Sequence, residues 1–299
     1  MNAYAAVDSD ATLTHAYAAC EQLARQHYEN FPVASLLLPR GMRPSIAAIY
    51  AFARKADDFA DEGDLPESER LSLIDAWRAR LHACVSSRDA PLSADDLVFV
   101  ALGDTIRRHR LPLSLFDDLL SAFTQDVTVK RYETWDELLD YCSRSANPVG
   151  RLVLRVAGHD DAELDRASDG VCTALQLTNF WQDLARDWAR GRLYVPLDDR
   201  DRAGAREIDL HAGRITPEWR AVLRVMASRT RGLFRAGRPV CDAVSGRLRL
   251  ELRLTWLGGS RILDRLERND FDVFGRRPTL TGADAMPLLW RAVIWPHAA

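Results

Sequence analysis

The spacing of apolar residues along the chain is the feature that most restricts its fold. In the segment after Pro66, for example, Ile74, Trp77 and Leu81 follow one another at intervals of three and four residues. This spacing places them on one face of an α-helix, whereas a half-buried strand alternates at every second residue. Similar patterns recur along most of the chain, and we find no run with strand-like alternation. The sequence therefore predicts an all-α protein of about ten helices.

The composition is that of an ordinary globular protein. The chain has 299 residues, of which 47% are hydrophobic and 28% are charged, and this length can bury a sizeable core. No repeat or low-complexity segment divides it. We predict one helical domain over residues 11–299, with a first helix at residues 12–28, preceded by a flexible N-terminus at residues 1–10.

Local signals predict several helix ends. Thr134 and Thr216 have the residue pattern of helix N-caps, and Asn147-Pro148 should break a helix. A long helix is predicted from about residues 160–163 to 189, whereas residues 200–215 are polar and rich in turn residues.

Charge, cysteines and the N-terminal segment exclude several classes of function. The net charge of −3 gives no reason to expect a nucleic acid or an anionic membrane as partner. The five cysteines are scattered without a Cys-x-x-Cys motif, which favours buried thiols in a reducing compartment over disulfides or a zinc site. The first ten residues carry acids where a signal peptide carries Lys or Arg, and no apolar run reaches about 18 residues. We expect a cytoplasmic protein whose membrane contact, if it has one, is peripheral.

The segment at residues 175–196, which is predicted to be helical as far as about Ala189, carries the first candidate chemistry. Asp183 and Asp187 are four residues apart, so they share a helix face at a separation of roughly 6 Å. Gln176 and Asn179 precede them on much the same face, and Phe180 adds an aromatic ring. Amides and aromatic rings beside acids predict a pocket that is part polar and part apolar.

A second pair of acids, Asp57 and Asp61, repeats this arrangement more than a hundred residues earlier. Acids on a helix usually form a solvated face, but here apolar residues such as Ala56 flank them, Asp58 lies beside Asp57, and Arg54 lies one turn before. Mg²⁺ takes oxygen ligands and often binds through one or two carboxylates plus substrate phosphate. A guanidinium group can bind the same phosphate through two hydrogen bonds. We predict that the two acidic pairs face each other across a cavity and hold Mg²⁺.

Other chemistries lack their motifs. A di-iron helical bundle needs Glu-x-x-His on two helices, and this motif is absent. The sequence also has no glycine-rich phosphate loop and no Gly-x-Ser-x-Gly nucleophile motif.

Four motifs occur in an order and at separations that resemble one enzyme family. They are Ala48-Ile49-Tyr50, Arg54-Lys55-x-Asp57-Asp58-x-x-Asp61, Gln176-x-x-Asn179-x-x-x-Asp183-x-x-x-Asp187 and Arg192-x-Tyr194-x-Pro196. The chain resembles the squalene/phytoene synthases over nearly its whole length. The resemblance implies a single-domain helical bundle of the isoprenoid-synthase type with a central cavity. It also implies Mg²⁺-dependent enzymes that join two prenyl diphosphates head to head.

Finer features resemble one branch of that family, the hydroxysqualene synthases of bacterial hopanoid gene clusters. The segments that carry this likeness are residues 29–35, 145–150 and 179–183. The likeness implies a different substrate, presqualene diphosphate, which is ionised, rearranged and quenched by water to give hydroxysqualene.

The family resemblance also implies roles for individual residues. The expected metal ligands are Asp57, Asp58, Asp61, Asp183 and Asp187, which together with Arg54 form the expected catalytic group. The residues expected to bind substrate are His27, Asn30, Phe31, Tyr50, Asn147, Gln176, Asn179, Phe180, Arg192 and Tyr194. Aromatic rings, including Trp181, would shield the carbocation, and Gln176, Asn179 or Asn147 would place the quenching water.

Several positions depart from the pattern of the coupling enzymes and keep alternatives open. They are Ser143, Arg186, Gly259 and the segment 27–30. We interpret these departures as specialisation for the second half-reaction. The alternatives are a squalene, dehydrosqualene, phytoene or presqualene diphosphate synthase, all of them head-to-head prenyl transferases, and the alternative substrate is farnesyl diphosphate. An alternative of another class is a non-catalytic helical assembly factor, although such relatives tend to lose the acids. The expected partners are an isoprenoid diphosphate, a membrane surface and other enzymes of the squalene pathway, but no nucleic acid.

Overall fold

A computed structural model describes residues 3–26, 37–61, 63–86 and 94–295. Within these ranges the chain is helical, apart from turns and one isolated bridge between Arg131 and Leu193. The prediction of an all-α protein is confirmed. The backbone packs as two compact units, one formed by Met1–Thr128 with Arg151–Asp160 and the other by Val129–Gly150 with Asp161–Ala299.

Five helices of the described residues lie in the first unit. The helices are α1 (Ala3–Gln26), α2 (Arg43–Asp61), α3 (Glu67–Ser86), α4 (Ala94–His109) and α5 (Leu113–Thr128). Helix α2 packs against all four others. Its Phe52 ring lies in a cluster of aromatic side chains, 5.9 Å from the ring of Trp77 and 5.5 Å from that of Phe116. The Trp77 indole also donates to the Phe52 carbonyl over 3.3 Å, which anchors the middle of α2 in the core.

The second unit contains the longest helix of the described residues. Its helices are α6 (Trp135–Ser145), α8 (Ala162–Ala189), α9 (Leu197–Ala203), α10 (Glu207–His211), α11 (Pro217–Gly237), α12 (Val240–Ala243), α13 (Gly246–Arg268) and α14 (Gly282–Ile294). Helix α7 (Asn147–Val156) crosses the boundary between the two units. Helix α8 packs most extensively against α11, and also against α13, α6 and α12.

Glycines allow α8 and its neighbours to approach closely. A methyl group on Gly237 of α11 would lie 2.6 Å from the amide nitrogen of Val171 and 2.7 Å from the carbonyl oxygen of Ala167. A methyl group on Gly259 of α13 would lie 2.5 Å from the Leu175 side chain. Gly237 therefore lets the backbone of α11 approach that of α8, and Gly259 lies against a side chain of α8.

Local sequence signals mark several helix ends correctly. Thr134 caps α6 by accepting from the Glu137 amide, and Thr216 caps α11 by accepting from the Trp219 amide. The break predicted at Asn147-Pro148 separates α6 from α7. Helix α1, by contrast, begins at Ala3 and not at residue 12, and residues 200–215, which read as turns, contain most of α9 and all of α10. The predicted flexibility of residues 1–10 and the prediction of one domain over residues 11–299 stay predictions.

Among the described residues, every helix falls short of the length and apolar character that a membrane crossing requires.

Candidate active site

The first acidic motif lies on the last two turns of α2. Ala56 and Ala60 are buried, whereas the Asp57 side chain is 40% exposed and Asp61 is exposed. Alanine favours the helix and leaves room for close packing, so the inner face of α2 lies in the core. The helical periodicity that places Ala56 and Ala60 in the core turns the carboxylates of Asp57 and Asp61 away from the core.

Arg54 lies directly against these acids. Its guanidinium group is 2.6 Å from the Asp58 carboxylate and 3.4 Å from that of Asp57, and its side chain is 19% exposed. One turn earlier, burial raises the pKa of Tyr50, which Arg54 partly offsets. The Tyr50 hydroxyl is thus a neutral group beside a cation and two anions.

Arg70 holds the end of the helix that carries the first motif. This side chain of α3 donates to the carbonyl oxygens of Ala60 and Gly63 over 2.8 and 2.5 Å. Carbonyls at a helix C-terminus lack helical partners, and a guanidinium group satisfies them. This role of Arg70 could not be predicted, because one arginine among many carries no distinguishing pattern.

The second acidic motif lies on α8, where Asp183 is held by an arginine that the sequence analysis missed. Arg277, in the segment between α13 and α14, donates to the two Asp183 oxygens over 2.5 and 2.9 Å. Hydrogen bonding to Asp183 raises the pKa of Arg277, and the charges of Asp183 and Asp187 act in the same direction. Arg186, where many coupling enzymes carry an acid, lies 3.7 Å from the same carboxylate.

The residue before Asp183 fixes the same segment. Gln182 is buried and donates from its side-chain amide to the Pro278 carbonyl over 2.5 Å. Two consecutive residues of α8 therefore hold two consecutive residues of the 271–281 segment. This arrangement aligns the Arg277 guanidinium with the acidic face of the helix.

The two adjacent aromatic residues of α8 have different surroundings. The Phe180 ring stacks on Tyr194, with centroids 3.7 Å apart and planes 6° apart, and the Tyr141 ring lies 6.2 Å from each. Trp181 is fully buried and donates to the Thr230 hydroxyl of α11 over 3.0 Å. Phe180, Tyr194 and Trp181 are all buried, and the assignment of Phe180 and Tyr194 as substrate-binding residues stays a prediction.

The predicted polar residues of the second unit differ in their exposure. Asn147 is buried, and its amide oxygen accepts from the Thr173 hydroxyl over 2.8 Å. Gln176 is half-buried and Asn179 is exposed on α8. The backbone amide of Arg192 donates to the Asp187 carbonyl over 2.8 Å, which closes the turn after α8. His27, Asn30 and Phe31 lie outside the described residues.

The thiols of the described residues are unsuited to nucleophilic catalysis. All five cysteines are free, and burial raises the pKa of Cys172 to about 11 and that of Cys241 to about 12. Since the thiolate is the reactive form, these groups are unreactive near neutral pH. The chemistry of the site therefore depends on its carboxylates and arginines.

The donor set is compatible with Mg²⁺ shared with a phosphate. Within the described part of the chain, no group of three or more His, Cys, Asp or Glu side chains lies close enough to enclose a metal ion. Each acidic motif instead offers two carboxylates on one helix face, and Asp183 already accepts a cationic partner. Mg²⁺ commonly keeps several waters and binds through one or two carboxylates plus phosphate oxygens. The residues fit this mode of binding, while the predicted convergence of the two motifs stays a prediction.

The fold and the acidic motifs define a class of protein. Residues 24–284 match the squalene/phytoene synthase family, and the chain belongs to this family. A hydroxysqualene synthase from Zymomonas mobilis subsp. mobilis is 39% identical over 210 residues, which cover 69% of this chain and 68% of that protein. A phytoene synthase from Arthrospira platensis is 31% identical over 294 residues, which cover 93% of each chain.

Solved structures confirm the expected isoprenoid-synthase type of fold. The crystal structure of the squalene synthase HpnC from Alicyclobacillus acidocaldarius matches with a TM-score of 0.80 at 39% identity, over 87% of this chain and 95% of that chain. A dehydrosqualene synthase matches with a TM-score of 0.83 over 95% of this chain and 97% of that chain. At 21% identity, the second likeness bears on the fold alone.

Proposed function

We propose that this protein is a hydroxysqualene synthase of squalene and hopanoid biosynthesis. It would convert presqualene diphosphate and water into hydroxysqualene and diphosphate. The observation that carries the proposal is the level of identity, which is 35–39% to hydroxysqualene synthases and 29–31% to phytoene synthases. The departures at Ser143, Arg186 and Gly259 from the pattern of the coupling enzymes support the same choice.

The first step breaks the bond between the cyclopropylcarbinyl carbon and the diphosphate oxygen. The electron pair leaves with the diphosphate, and a carbocation remains. Mg²⁺, when bound, neutralises charge on the diphosphate and makes it a better leaving group. The residues that would hold the metal are Asp57, Asp58, Asp61, Asp183 and Asp187. Arg54 and Arg277, each already in contact with one of these acids, would bind the diphosphate oxygens.

The second step adds water after the cation has rearranged. The cation must be shielded from water until then, and the stacked rings of Phe180 and Tyr194 are suited to that task. The water oxygen then forms the new carbon–oxygen bond, and its proton passes to the diphosphate or to solvent. Gln176 or Asn179 would place this water, since the amide oxygen of Asn147 is occupied by Thr173.

A second candidate reaction is the coupling of two prenyl diphosphates. The extensive likeness to a phytoene synthase, over 93% of both chains, favours keeping it. Squalene, dehydrosqualene and presqualene diphosphate synthases belong to the same class of reaction. All of them consume farnesyl or geranylgeranyl diphosphate, which the proposed reaction does not.

Substrate consumption separates these reactions. The purified protein with Mg²⁺ is incubated with farnesyl diphosphate alone, geranylgeranyl diphosphate alone or presqualene diphosphate alone, each with and without NADPH. Mass spectrometry should find hydroxysqualene from presqualene diphosphate, independent of NADPH. Consumption of farnesyl or geranylgeranyl diphosphate would overturn the proposal in favour of a coupling enzyme. No turnover of any of the three, with the helical circular dichroism spectrum intact, would favour a non-catalytic protein.

We also propose a location and partners for this protein. A protein that handles such apolar molecules would work in the cytoplasm at the inner membrane surface, beside enzymes that make its substrate and remove the hydroxyl group of its product. Acids with an arginine beside them characterise the first motif, and the net charge of −3 gives no reason to expect a nucleic acid, so an isoprenoid diphosphate is the proposed ligand.

A further inference from the structure

The outward face of α14 is apolar. Five of the ten exposed large hydrophobic side chains of the described residues lie on this one helix. They are Met286, Leu289, Trp290, Val293 and Ile294, and we call them the α14 face. Met286 is 72% exposed and Trp290 is 65% exposed. Exposed apolar residues that occur singly need no explanation, but a contiguous set marks an interaction surface.

The inner side of the same helix is firmly attached to its own unit. Leu288 and Ala292 are buried, and Asp284, at the first turn, accepts from Arg265 over 2.6 Å. At the other end Trp295 is buried beneath the guanidinium group of Arg238, 4.6 Å from its ring centroid. The α14 face is therefore the outer side of a helix whose inner side is packed against its own unit.

The charges of α14 favour an anionic surface as partner. The helix carries two charged residues, Asp284 and Arg291. Asp284 is only 5% exposed and binds Arg265 and the Thr281 cap, so it presents no negative charge outward. Arg291 is exposed directly beside Trp290. A tryptophan ring with an arginine beside it is typical of the headgroup region of a bilayer, where the ring is partly buried and the cation meets lipid phosphates.

The size of the α14 face argues against a second copy of the chain. A helix of 13 residues is about 20 Å long and, at a width of about 10 Å, offers roughly 200 Å². A stable interface between two proteins buries about 800 Å² on each partner. A bilayer has no such requirement, because a single amphipathic helix is enough for reversible binding.

We propose that the α14 face docks this protein on an anionic phospholipid bilayer. The inference rests on the proposed function in one respect, namely that the substrate and the product of that reaction have long hydrocarbon parts that partition into lipid. Docking places the protein where those molecules are concentrated. The surface is peripheral, with the helix lying in the plane of the interface.

Flotation with lipid vesicles tests the proposal. The full-length protein is mixed with vesicles of equal parts phosphatidylglycerol and phosphatidylcholine, and the bound fraction is measured. Trp290→Ser with Val293→Ser should lower the partition coefficient by more than about ten-fold. The matched control is Ile208→Ser with Val225→Ser, which removes two apolar side chains of 61% and 45% exposure from α10 and α11 and should change binding little.

Fluorescence quenching locates the contact. Phosphatidylcholine with brominated acyl chains should quench part of the tryptophan emission of the wild-type protein. Trp290→Phe should keep vesicle binding and lose that quenching, because its ring is the exposed tryptophan of the α14 face. Equal partitioning of the wild-type protein and the α14 double variant would overturn the proposal.

Two further measurements separate the possible failures. Sedimentation velocity without lipid tests whether the α14 face forms a dimer instead. A dimer that the α14 double variant loses, together with no vesicle binding, would overturn the proposal in favour of a second copy of the chain. Turnover of detergent-dispersed presqualene diphosphate is measured in parallel and should be equal in the wild-type protein and the double variant. Turnover without vesicle binding would overturn the docking proposal alone, whereas vesicle binding without turnover would overturn the proposed reaction alone.

Discussion

Three of the five acids that we assign to the metal, Asp57, Asp58 and Asp183, are paired with an arginine. Arg54 contacts Asp57 and Asp58 from within α2, whereas Arg277 binds Asp183 from a segment 94 residues away. An arginine can pair with a carboxylate when the metal is absent and with a phosphate when the metal is present. Both pairings use the same fork of guanidinium N–H groups. We therefore expect Arg277 to compete with the metal for Asp183 and to cooperate with it toward the diphosphate.

Replacement of Arg277 by glutamine tests the competition. Without substrate, Arg277→Gln should bind Mn²⁺ roughly two- to five-fold more tightly than the wild-type protein, since a half-exposed ion pair contributes up to about 1 kcal/mol. Electron paramagnetic resonance measures the free Mn²⁺. Arg276→Gln removes the same charge from the adjacent, exposed residue and should leave binding nearly unchanged. The competition would be contradicted if Arg277→Gln bound Mn²⁺ no more tightly than the wild-type protein. It would also be contradicted if Arg276→Gln gained as much affinity as Arg277→Gln.

At the scale of helices, the position of α8 determines where the second acidic motif lies. Close contacts with α11 at Gly237 and with α13 at Gly259 fix the helix, and Trp181 adds a buried hydrogen bond to Thr230. At Gly237 the contact is with the backbone of α8, and such a contact leaves no room for added volume unless the helix shifts. Residues far from the acids therefore control their placement.

Two glycines of α11 give opposite predictions for the same substitution. Gly237→Ala should lower the free energy of unfolding by about 1–3 kcal/mol, because its methyl group meets the backbone of α8 at 2.6 Å. Gly232→Ala should raise it by about 0.5–1 kcal/mol, because nothing lies within 4 Å and alanine favours the helix. Urea denaturation followed by circular dichroism measures both. A stability of Gly237→Ala equal to that of the wild-type protein would show that α8 and α11 are not held as closely as described.

Sequence patterns could predict those elements that depend on residues close together along the chain. The caps at Thr134 and Thr216, the break at Pro148 and the extent of α8 depend on neighbours within one turn, so local signals were sufficient. The role of Arg277 could not be predicted in this way, because its partner is distant along the chain and arginine is frequent in this sequence. The difference between buried Leu288 and exposed Leu289 on α14 likewise depends on which face of the helix its neighbours cover.

At the scale of the whole molecule, each of the two compact units carries one acidic motif. Asp57 and Asp61 belong to the first unit and Asp183 and Asp187 to the second. Two carboxylates alone hold Mg²⁺ weakly, but two pairs that share one diphosphate through metal ions would bind it strongly. The proposed ionisation of presqualene diphosphate depends on this sharing. The family, the fold and the intact acids support it, and the spatial relation of the two pairs is its central prediction.

Binding of Mn²⁺ in the presence of inorganic diphosphate tests that prediction most directly. Electron paramagnetic resonance of the wild-type protein should show Mn²⁺ whose binding is strengthened by diphosphate. Asp57→Asn with Asp61→Asn should abolish that strengthening, and so should Asp183→Asn with Asp187→Asn. The control is Asp198→Asn with Asp201→Asn, which removes two exposed acids of α9 and should behave like the wild-type protein. If either active-site double variant, folded by circular dichroism, kept the full diphosphate-dependent binding, the two pairs would not act on one diphosphate and the account would be contradicted.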